Sequence, residues 1–279
     1  MNGTAAVNGA LMNGIVVVTV EELVARIVDG AMVAVPPDYS FVAMAATRAL
    51  IRRGARDLHL LAVPQSGIQA DMLIGAGCVA LVETAAISLG ELGAAPQFTA
   101  AVKSGKISIR DSTCPAIHAG LQASEKGLPF MPLRGLIGSD LLRVRDDWKV
   151  GENPFKQGDQ IVVLPAISPD FALFHAPFAD RNGNIWVGRR RELVTMAHAA
   201  RHTLVTVEEI RDINLMEDEG LAGGSIPALY VTALAEAPNG AWPLGLPGEY
   251  APDDAHLAYY AKEAKSDDGF QDYLVEHGA

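Results

Sequence analysis

Asp29-Gly30-Ala31-Met32-Val33-Ala34-Val35-Pro36-Pro37 is the stretch that decides the fold. Asp-Gly is a helix-stop signal, and five apolar residues follow it. The proline pair ends the run, because proline cannot donate to the interior of a sheet. A short segment that is apolar on both faces reads as a strand buried on both sides. Upstream, Thr19 stands three residues before Glu22, the spacing of a capping box, and predicts a helix over 20–28. Downstream the alternation continues, with helices over 41–53 (closed by Gly54), 68–76 and 98–103, and strands over 58–63, 78–82 and 107–110. A helix from Cys114 to about Lys126-Gly127 follows, then strands over 160–164, 171–175, 185–187 and 203–207, with a helix over 192–201. Continuously apolar strands separated by helices predict an α/β protein with an open, mostly parallel sheet, helices on both faces and right-handed connections. Asn182-Gly183 marks a hairpin turn. The polar stretch 146–159 reads as an inserted loop or flap. Residues 1–14 read as a flexible leader, and 15–279 as a single domain whose amphipathic tail, about 252–278, either docks on a partner or frays.

Composition narrows the function. The chain has 279 residues, with 22 Lys+Arg against 33 Asp+Glu, a net charge of −11 that argues against a general nucleic-acid-binding surface. Two cysteines, Cys78 and Cys114, with no Cys-x-x-Cys pair, argue against a zinc site or a disulfide scaffold and fit a reducing compartment. No apolar run reaches the roughly 18–20 residues that span a bilayer. The expectation is a cytoplasmic protein with no metal, no membrane and no nucleic acid among its partners. Dinucleotide, P-loop and Gly-x-Ser-x-Gly signatures are all absent from the sequence.

Residues 111–118, Asp-Ser-Thr-Cys-Pro-Ala-Ile-His, carry the clearest chemical signal. Proline favours the first helical turn, so Cys114 falls at a helix N-terminus, where free N–H groups favour a thiolate. His118, four residues on, shares that face and can exchange a proton with it. The alternative is an ordinary helix capped by Ser112 or Thr113, with both side chains packing. Ser88 and Glu91 lie in a small-residue loop (Ser88 to Phe98) after a strand, where open α/β sheets bind ligands. Glu91 is a candidate acid, base or nucleophile there, or a solvated turn carboxylate. In the stiff loop 127–140, Arg134 either clamps an anion or pairs locally with Asp140 or a helix end. Phe130 and Met131 are candidate walls of an apolar substrate pocket, or core. Arg189-Arg190-Arg191 reads as a solvated face.

Taken together, these pieces resemble the A subunit of the family I CoA-transferases, of the glutaconate CoA-transferase type. The resemblance rests on Asp29-Gly30 before the first strand, Gly90-Glu91-Leu92-Gly93-Ala94-Ala95-Pro96-Gln97-Phe98, Gly127-Leu128-Pro129-Phe130-Met131-Pro132 and Gly138-Ser139-Asp140-Leu141-Leu142. Pro169 to Ala176, Ala179 to Asn184 and Val205 to Ile210 extend it over roughly 20–240. It implies a CoA-transferase-like fold, acyl-CoA as substrate, and a B subunit in a heterodimer or heterotetramer. The B subunit would carry the glutamate that attacks the thioester, with Ser88 and Glu91 contributing from this chain. Two departures stand out: Pro36-Pro37 replaces a glycine-rich turn, and Cys114 stands where the similar steroid ring-opening hydrolases have a carboxylate, paired with an arginine that Arg134 matches. The implied activity is CoA transfer between carboxylic acids. The alternative is a CoA-thioester hydrolase, ring-opening enzyme or acyltransferase using Cys114 and His118. A non-catalytic ligand sensor ranks last, because the residues before Val20 are too few for a helix-turn-helix.

Overall fold

A computed structural model describes residues 15–279, so the predicted leader lies outside the described residues. The chain begins with β1 (Val16–Val17) and α1 (Val20–Val24), then β2 (Met32–Val35), α2 (Met44–Arg53), β3 (Leu58–Ala62), α3 (Ile68–Gly75) and β4 (Val79–Thr84). Next come α4 (Pro96–Ser104), β5 (Ser108–Asp111) and α5 (Cys114–Glu125). The Thr19 capping box is present: its hydroxyl accepts from the Glu22 amide at 3.1 Å, and the Glu22 carboxylate accepts from the Thr19 amide at 2.9 Å. The α1 helix stops earlier than 28 because its last turn tightens to three-residue spacing, Arg26 N to Leu23 O and Ile27 N to Val24 O. The α2 helix starts three residues later than its apolar pattern, because Phe41 sits in the left-handed region at φ 43° and turns the chain first.

A second, smaller sheet follows, made by β6 (Phe130–Leu133), β7 (Lys149–Glu152) and β8 (Gln160–Pro165) in the antiparallel order β6-β8-β7, with α6 (Leu141–Val144) between β6 and β7. The expected flap over 146–159 therefore contains a strand, and the run over 160–164 joins this small sheet rather than the parallel one. Its apolar continuity does not mean burial on both faces. Val162 and Leu164 pack with Ala116 and Ala119 of α5, whereas Ile161 and Val163 face a surface groove.

The main sheet resumes with β9 (Phe171–Asp180), β10 (Ile185–Trp186), α7 (Arg191–Ala199), β11 (His202–Arg211), α8 (Glu219–Ala222), β12 (Ser225–Ile226) and β13 (Ala233–Glu236). Its parallel path runs β1-β13-β11-β9-β2-β3-β4-β5, with β10 antiparallel to β9 across the Asn182-Gly183 turn. The chain thus builds outward from β2 in one direction and from β9 in the other, and β2 and β9 are neighbours. Residues of α1 to α4 bury one face, and residues of α5 and α7 the other. The tail forms α9 (Asp254–Glu263) and α10 (Asp267–Glu276), and it docks on its own chain: Tyr260, Phe270, Tyr273 and Leu274 are buried with Val42, Met44, Ile68 and Met72. Among the described residues, no helix is long and apolar enough to cross a membrane.

Candidate active site

Three loops leave the carboxyl ends of β2, β3 and β4 and meet on one edge of the sheet. Asp38, after β2, accepts from the amides of Gly67 at 2.8 Å and Ile68 at 3.1 Å, which ties the first loop to the start of α3. Burial pushes its pKa up to about 6 against those bonds, with the Asp71 charge adding to the rise. Gly67 has to be glycine, because a Cβ there would stand 2.6 Å from the Ser88 carbonyl and collide with Asp38. The Ser66 hydroxyl donates to the carbonyls of Pro36 and Val63, both at 3.0 Å. Gln65 Nε2 donates to Ser88 Oγ, which also accepts from the Gly90 amide at 3.3 Å. Asp38, Gln65, Ile68, Ser88 and Gly90 line a cavity of about 270 Å³ with Tyr39, Leu92, Leu244, Leu257 and Tyr260. It shares Asp38, Tyr39, Leu244 and Leu257 with a second cavity, of about 720 Å³, walled by residues 245–254.

That wall is fixed from behind. The buried His175 ring lies 2.8 Å from Thr206 Oγ1 and 2.9 Å from Glu208 Oε1. Glu208 also accepts from the Tyr250 hydroxyl at 2.7 Å and from the amides of Asn239 at 2.6 Å and Gly240 at 3.2 Å. Burial pushes the Glu208 carboxyl up, but its bonds from His175, Tyr250 and Asn239 outweigh burial and hold it below the usual range. Tyr250 is in turn raised by burial and by Glu208.

Cys114 is the first residue of α5 and is exposed. Thr113 caps the helix, accepting from the Ala116 amide at 3.3 Å. His118, one turn on, is half-buried, and burial lowers its pKa while the Glu192 carboxylate raises it. The Ser40 hydroxyl donates to Glu192. Tyr39 is raised by partial burial, then by the charges of Glu192 and Cys114. The turn after β2 therefore links the Ser88 cavity to the neighbourhood of Cys114, His118 and Glu192.

A family model described as Coenzyme A transferase matches residues 17–237. The chain belongs to the coenzyme A transferase family. The corresponding chain of glutaconate CoA-transferase from Acidaminococcus fermentans, its A component, is 32% identical over 251 residues, 83% of this chain and 77% of its own. The crystal structure of glutaconate coenzyme A-transferase from that organism superimposes with a TM-score of 0.87 at 28% identity, over 93% of this chain and 87% of that one. A variant of the decarboxylase AibA/AibB gives a TM-score of 0.81 at 31% identity, over 95% of this chain and all (100%) of that one. The cholesterol ring-cleaving hydrolase IpdA subunit of Rhodococcus jostii is 28% identical over 243 residues, 84% of this chain and 81% of its own. The family reading of the sequence, and the open α/β fold it implied, are thus both met.

Within this CoA-transferase chain the sequence-selected residues do not all converge. Ser88 lines the crevice, and Glu91 stands beside it on the exposed turn Gly90–Leu92, with no hydrogen bond of its own among the described residues. Cys114 and His118 share the first turns of α5. Arg134 lies elsewhere: at the end of β6 it pairs with Asp159, whose pKa it lowers, while Asp140 pairs with Arg143 at 3.1 Å. Phe130 is 48% exposed and lines the same surface groove as Arg134, and Met131 packs on the cluster that contains Ala116 and Trp148. The structure therefore places Arg134 and Phe130 outside the loop crevice. Sequence reasoning missed Tyr39, Gln65 and Glu192. The first two follow the proline-terminated strands, so the strand ends were their available signal. Glu192 had none, since only tertiary folding brings it to Ser40.

Proposed function

We propose that this chain is the A subunit of an acyl-CoA-dependent CoA-transferase that moves CoA between carboxylic acids, with a partner B subunit supplying the covalent glutamate. The observation that carries this reading is the Ser88–Gln65 pair in a crevice at the carboxyl edge of the sheet, where the described residues offer no free buried carboxylate. Asp38 accepts two backbone amides there, and Glu91 is exposed. The nucleophile is then the partner's. Its carboxylate attacks the thioester and releases CoA thiolate, leaving an acyl–glutamyl anhydride. The thiolate attacks the glutamyl carbonyl, freeing the acyl group as a carboxylate and forming glutamyl-CoA, and the acceptor acid reverses both steps. Ser88 donates to the oxyanion that develops on the thioester carbonyl. The two unbonded cysteines support a cytoplasmic setting.

The test is to produce the chain with its B subunit, determine the mass of the assembly, and assay CoA transfer between carboxylic acids. Ping-pong kinetics and trapping of a B-subunit glutamate by borohydride or hydroxylamine in the presence of acyl-CoA are expected. Absence of transfer to every carboxylate acceptor overturns the reading. Ser88→Ala is expected to lower kcat by about 100-fold, the usual loss of one oxyanion donor.

One observation favours a second reading, in which Cys114 is the nucleophile of a thioester hydrolysis, ring opening or acyl transfer: its thiol is exposed at a helix N-terminus beside Tyr39, with His118 on the same helix. Cys114→Ala would then abolish turnover, and acyl-CoA would add the acyl mass to this chain. Full activity of the alanine variant excludes it.

A further inference from the structure

The hydroxyl of Ser88 is bonded differently from the other hydroxyls around the crevice. Ser40 donates to the Glu192 carboxylate, and Ser66 to the Pro36 and Val63 carbonyls. Tyr39 donates to the Pro64 carbonyl at 3.5 Å, and Tyr260 to the Asp71 carboxylate at 2.6 Å. Each of these gives its proton to the protein. Ser88 Oγ donates to none of the described residues and accepts twice, from Gln65 Nε2 and from the Gly90 amide at 3.3 Å. A hydroxyl oxygen has two lone pairs and one proton. With both lone pairs taken, the proton is what Ser88 has left to offer, and Ser88 lines the cavity of about 270 Å³.

The two donors to Ser88 differ in origin. The Gly90 amide is two residues away and comes with the turn, whereas Gln65 reaches across from the loop after β3. Both ends of that reach are anchored by backbone. The Gln65 carbonyl accepts from the Asp38 amide at 3.2 Å. The Ser88 amide donates to the Ser66 carbonyl at 3.3 Å, and the next amide, Leu89, to the Gly93 carbonyl at 2.8 Å. Two donors bonded to one oxygen polarise its O–H and make it a stronger donor in turn. An acceptor at position 65 would reverse this, drawing the Ser88 proton into the protein as Glu192 draws that of Ser40. Glutamate has the shape of glutamine, and when ionised it only accepts.

We propose that Gln65 is a positioning residue that acts through Ser88: its amide occupies the serine oxygen, so that the hydroxyl serves the cavity only as a donor. The inference rests on the CoA-transfer reading for the identity of the acceptor, the thioester carbonyl oxygen as it gains negative charge. Gln65 moves no proton and forms no bond to the substrate. Its contribution is the direction in which the Ser88 proton points, fixed before the substrate arrives, which is what makes a hydrogen-bond donor effective in stabilising a transition state.

The experiment assembles the B subunit with wild-type chain, Gln65→Glu, Gln65→Met, Ser88→Ala and the double variant Gln65→Glu with Ser88→Ala. CoA transfer is assayed with the acid pair that the wild-type complex turns over best. At neutral pH Gln65→Glu is expected to lower kcat by about 100-fold, as loss of the Ser88 donor does, with KM little changed. On the Ser88→Ala background the same substitution is expected to lower kcat by less than about threefold, because residues that act as a unit are not additive. Relative to wild type, kcat of Gln65→Glu should rise about tenfold as pH falls from about 7 to 5, since a protonated carboxyl donates again. Gln65→Met removes the donor without adding an acceptor, so it loses less and keeps the wild-type pH profile. Equal loss from Gln65→Glu with and without Ser88, or no loss at neutral pH, overturns the proposal. If Gln65→Glu does not assemble, Gln65→Met carries the comparison: a loss confined to chains that keep Ser88 supports the proposal, and the same loss without Ser88 overturns it. If the wild-type complex transfers CoA to no acid, the CoA-transfer reading fails by itself, and the infrared band of isotope-labelled carbonyl in butyryl-CoA bound to the complex reads the donor. A band lower in frequency on wild type than on both Gln65→Glu and Ser88→Ala supports the role of Gln65, and a band unmoved by Gln65→Glu overturns it.

Discussion

Asp71 has no exposed surface, yet it is a carboxylate, held by the Phe98 amide at 2.7 Å and the Tyr260 hydroxyl at 2.6 Å. Burial pushes its pKa up to about 6 from 3.8, against those bonds. A carboxyl whose pKa is higher folded than unfolded favours the fold in its protonated form. Its contribution is fully present below about pH 4 and is lost as pH rises through about 6. A rise of that size amounts to about 3 kcal/mol at most. Asp38 titrates over the same window and is itself raised partly by the Asp71 charge. Asp71→Asn should therefore flatten the fall in unfolding free energy between pH 4 and 7 without abolishing it, as read by urea denaturation at several pH values. Parallel curves for the two proteins would show that Asp71 does not titrate there. Gly240 gives a steric counterpart at the same scale. A Cβ on it would stand 2.5 Å from His175 Cε1 and 2.6 Å from the Ala237 carbonyl. Gly240→Ala should cost about 1–3 kcal/mol as overpacking and loosen the Tyr250 wall, with a lower thermal midpoint as the readout.

Among the elements, α5 shows both what a sequence reveals and where it stops. Pro115 marked its first turn and Lys126-Gly127 its end, because caps and proline geometry are local. Cys114→Ala leaves that geometry intact, whereas Thr113→Ala removes the acceptor for the Ala116 amide and should cost about 1 kcal/mol of stability. If Thr113→Ala denatures in urea as wild type does, the cap contributes nothing. The small sheet was not legible, because a short apolar run in β8 looks the same whether one face or both are covered. The start of α2 was misplaced because the left-handed Phe41 is imposed by contacts with β9 and Arg190, not by neighbouring residues. For the same reason Arg190 looked like its solvated neighbours Arg189 and Arg191: the ring that half-buries it comes from a loop some 150 residues earlier. Ser88 and Cys114 were found because strand ends and helix starts are visible locally, while Tyr39, Gln65 and Glu192 join the site only through the meeting of separate loops.

At the scale of the whole molecule, the small sheet is held to the large one by a buried ion network. Glu83 of β4 is 2% exposed, and Arg145, just after α6, is 5% exposed by side chain. They bond at 2.9 Å. Arg145 also donates to both Asp147 oxygens at 2.8 Å and to the Asp111 carbonyl at 2.9 Å, and lies 4.3 Å over the Trp148 ring. His59 and Arg110 each stand 3.6 Å from the second Glu83 oxygen. Burial draws the Arg145 pKa down, but Asp147 and Glu83 more than reverse this. Two desolvated charges roughly cancel their own transfer cost, so the pair gives little net stability while making each partner intolerant of losing the other. Arg145→Met should therefore cost about 3–5 kcal/mol, the penalty for a buried charge left without its main partner. Glu83→Met with Arg145→Met should recover much of that, because the cost lies in the uncompensated charge and not in the missing attraction. Urea denaturation of the two single variants and the double variant separates the terms. If the double variant is as unstable as the sum of the singles, the network contributes attraction in its own right, and this account of how the two sheets are joined is wrong.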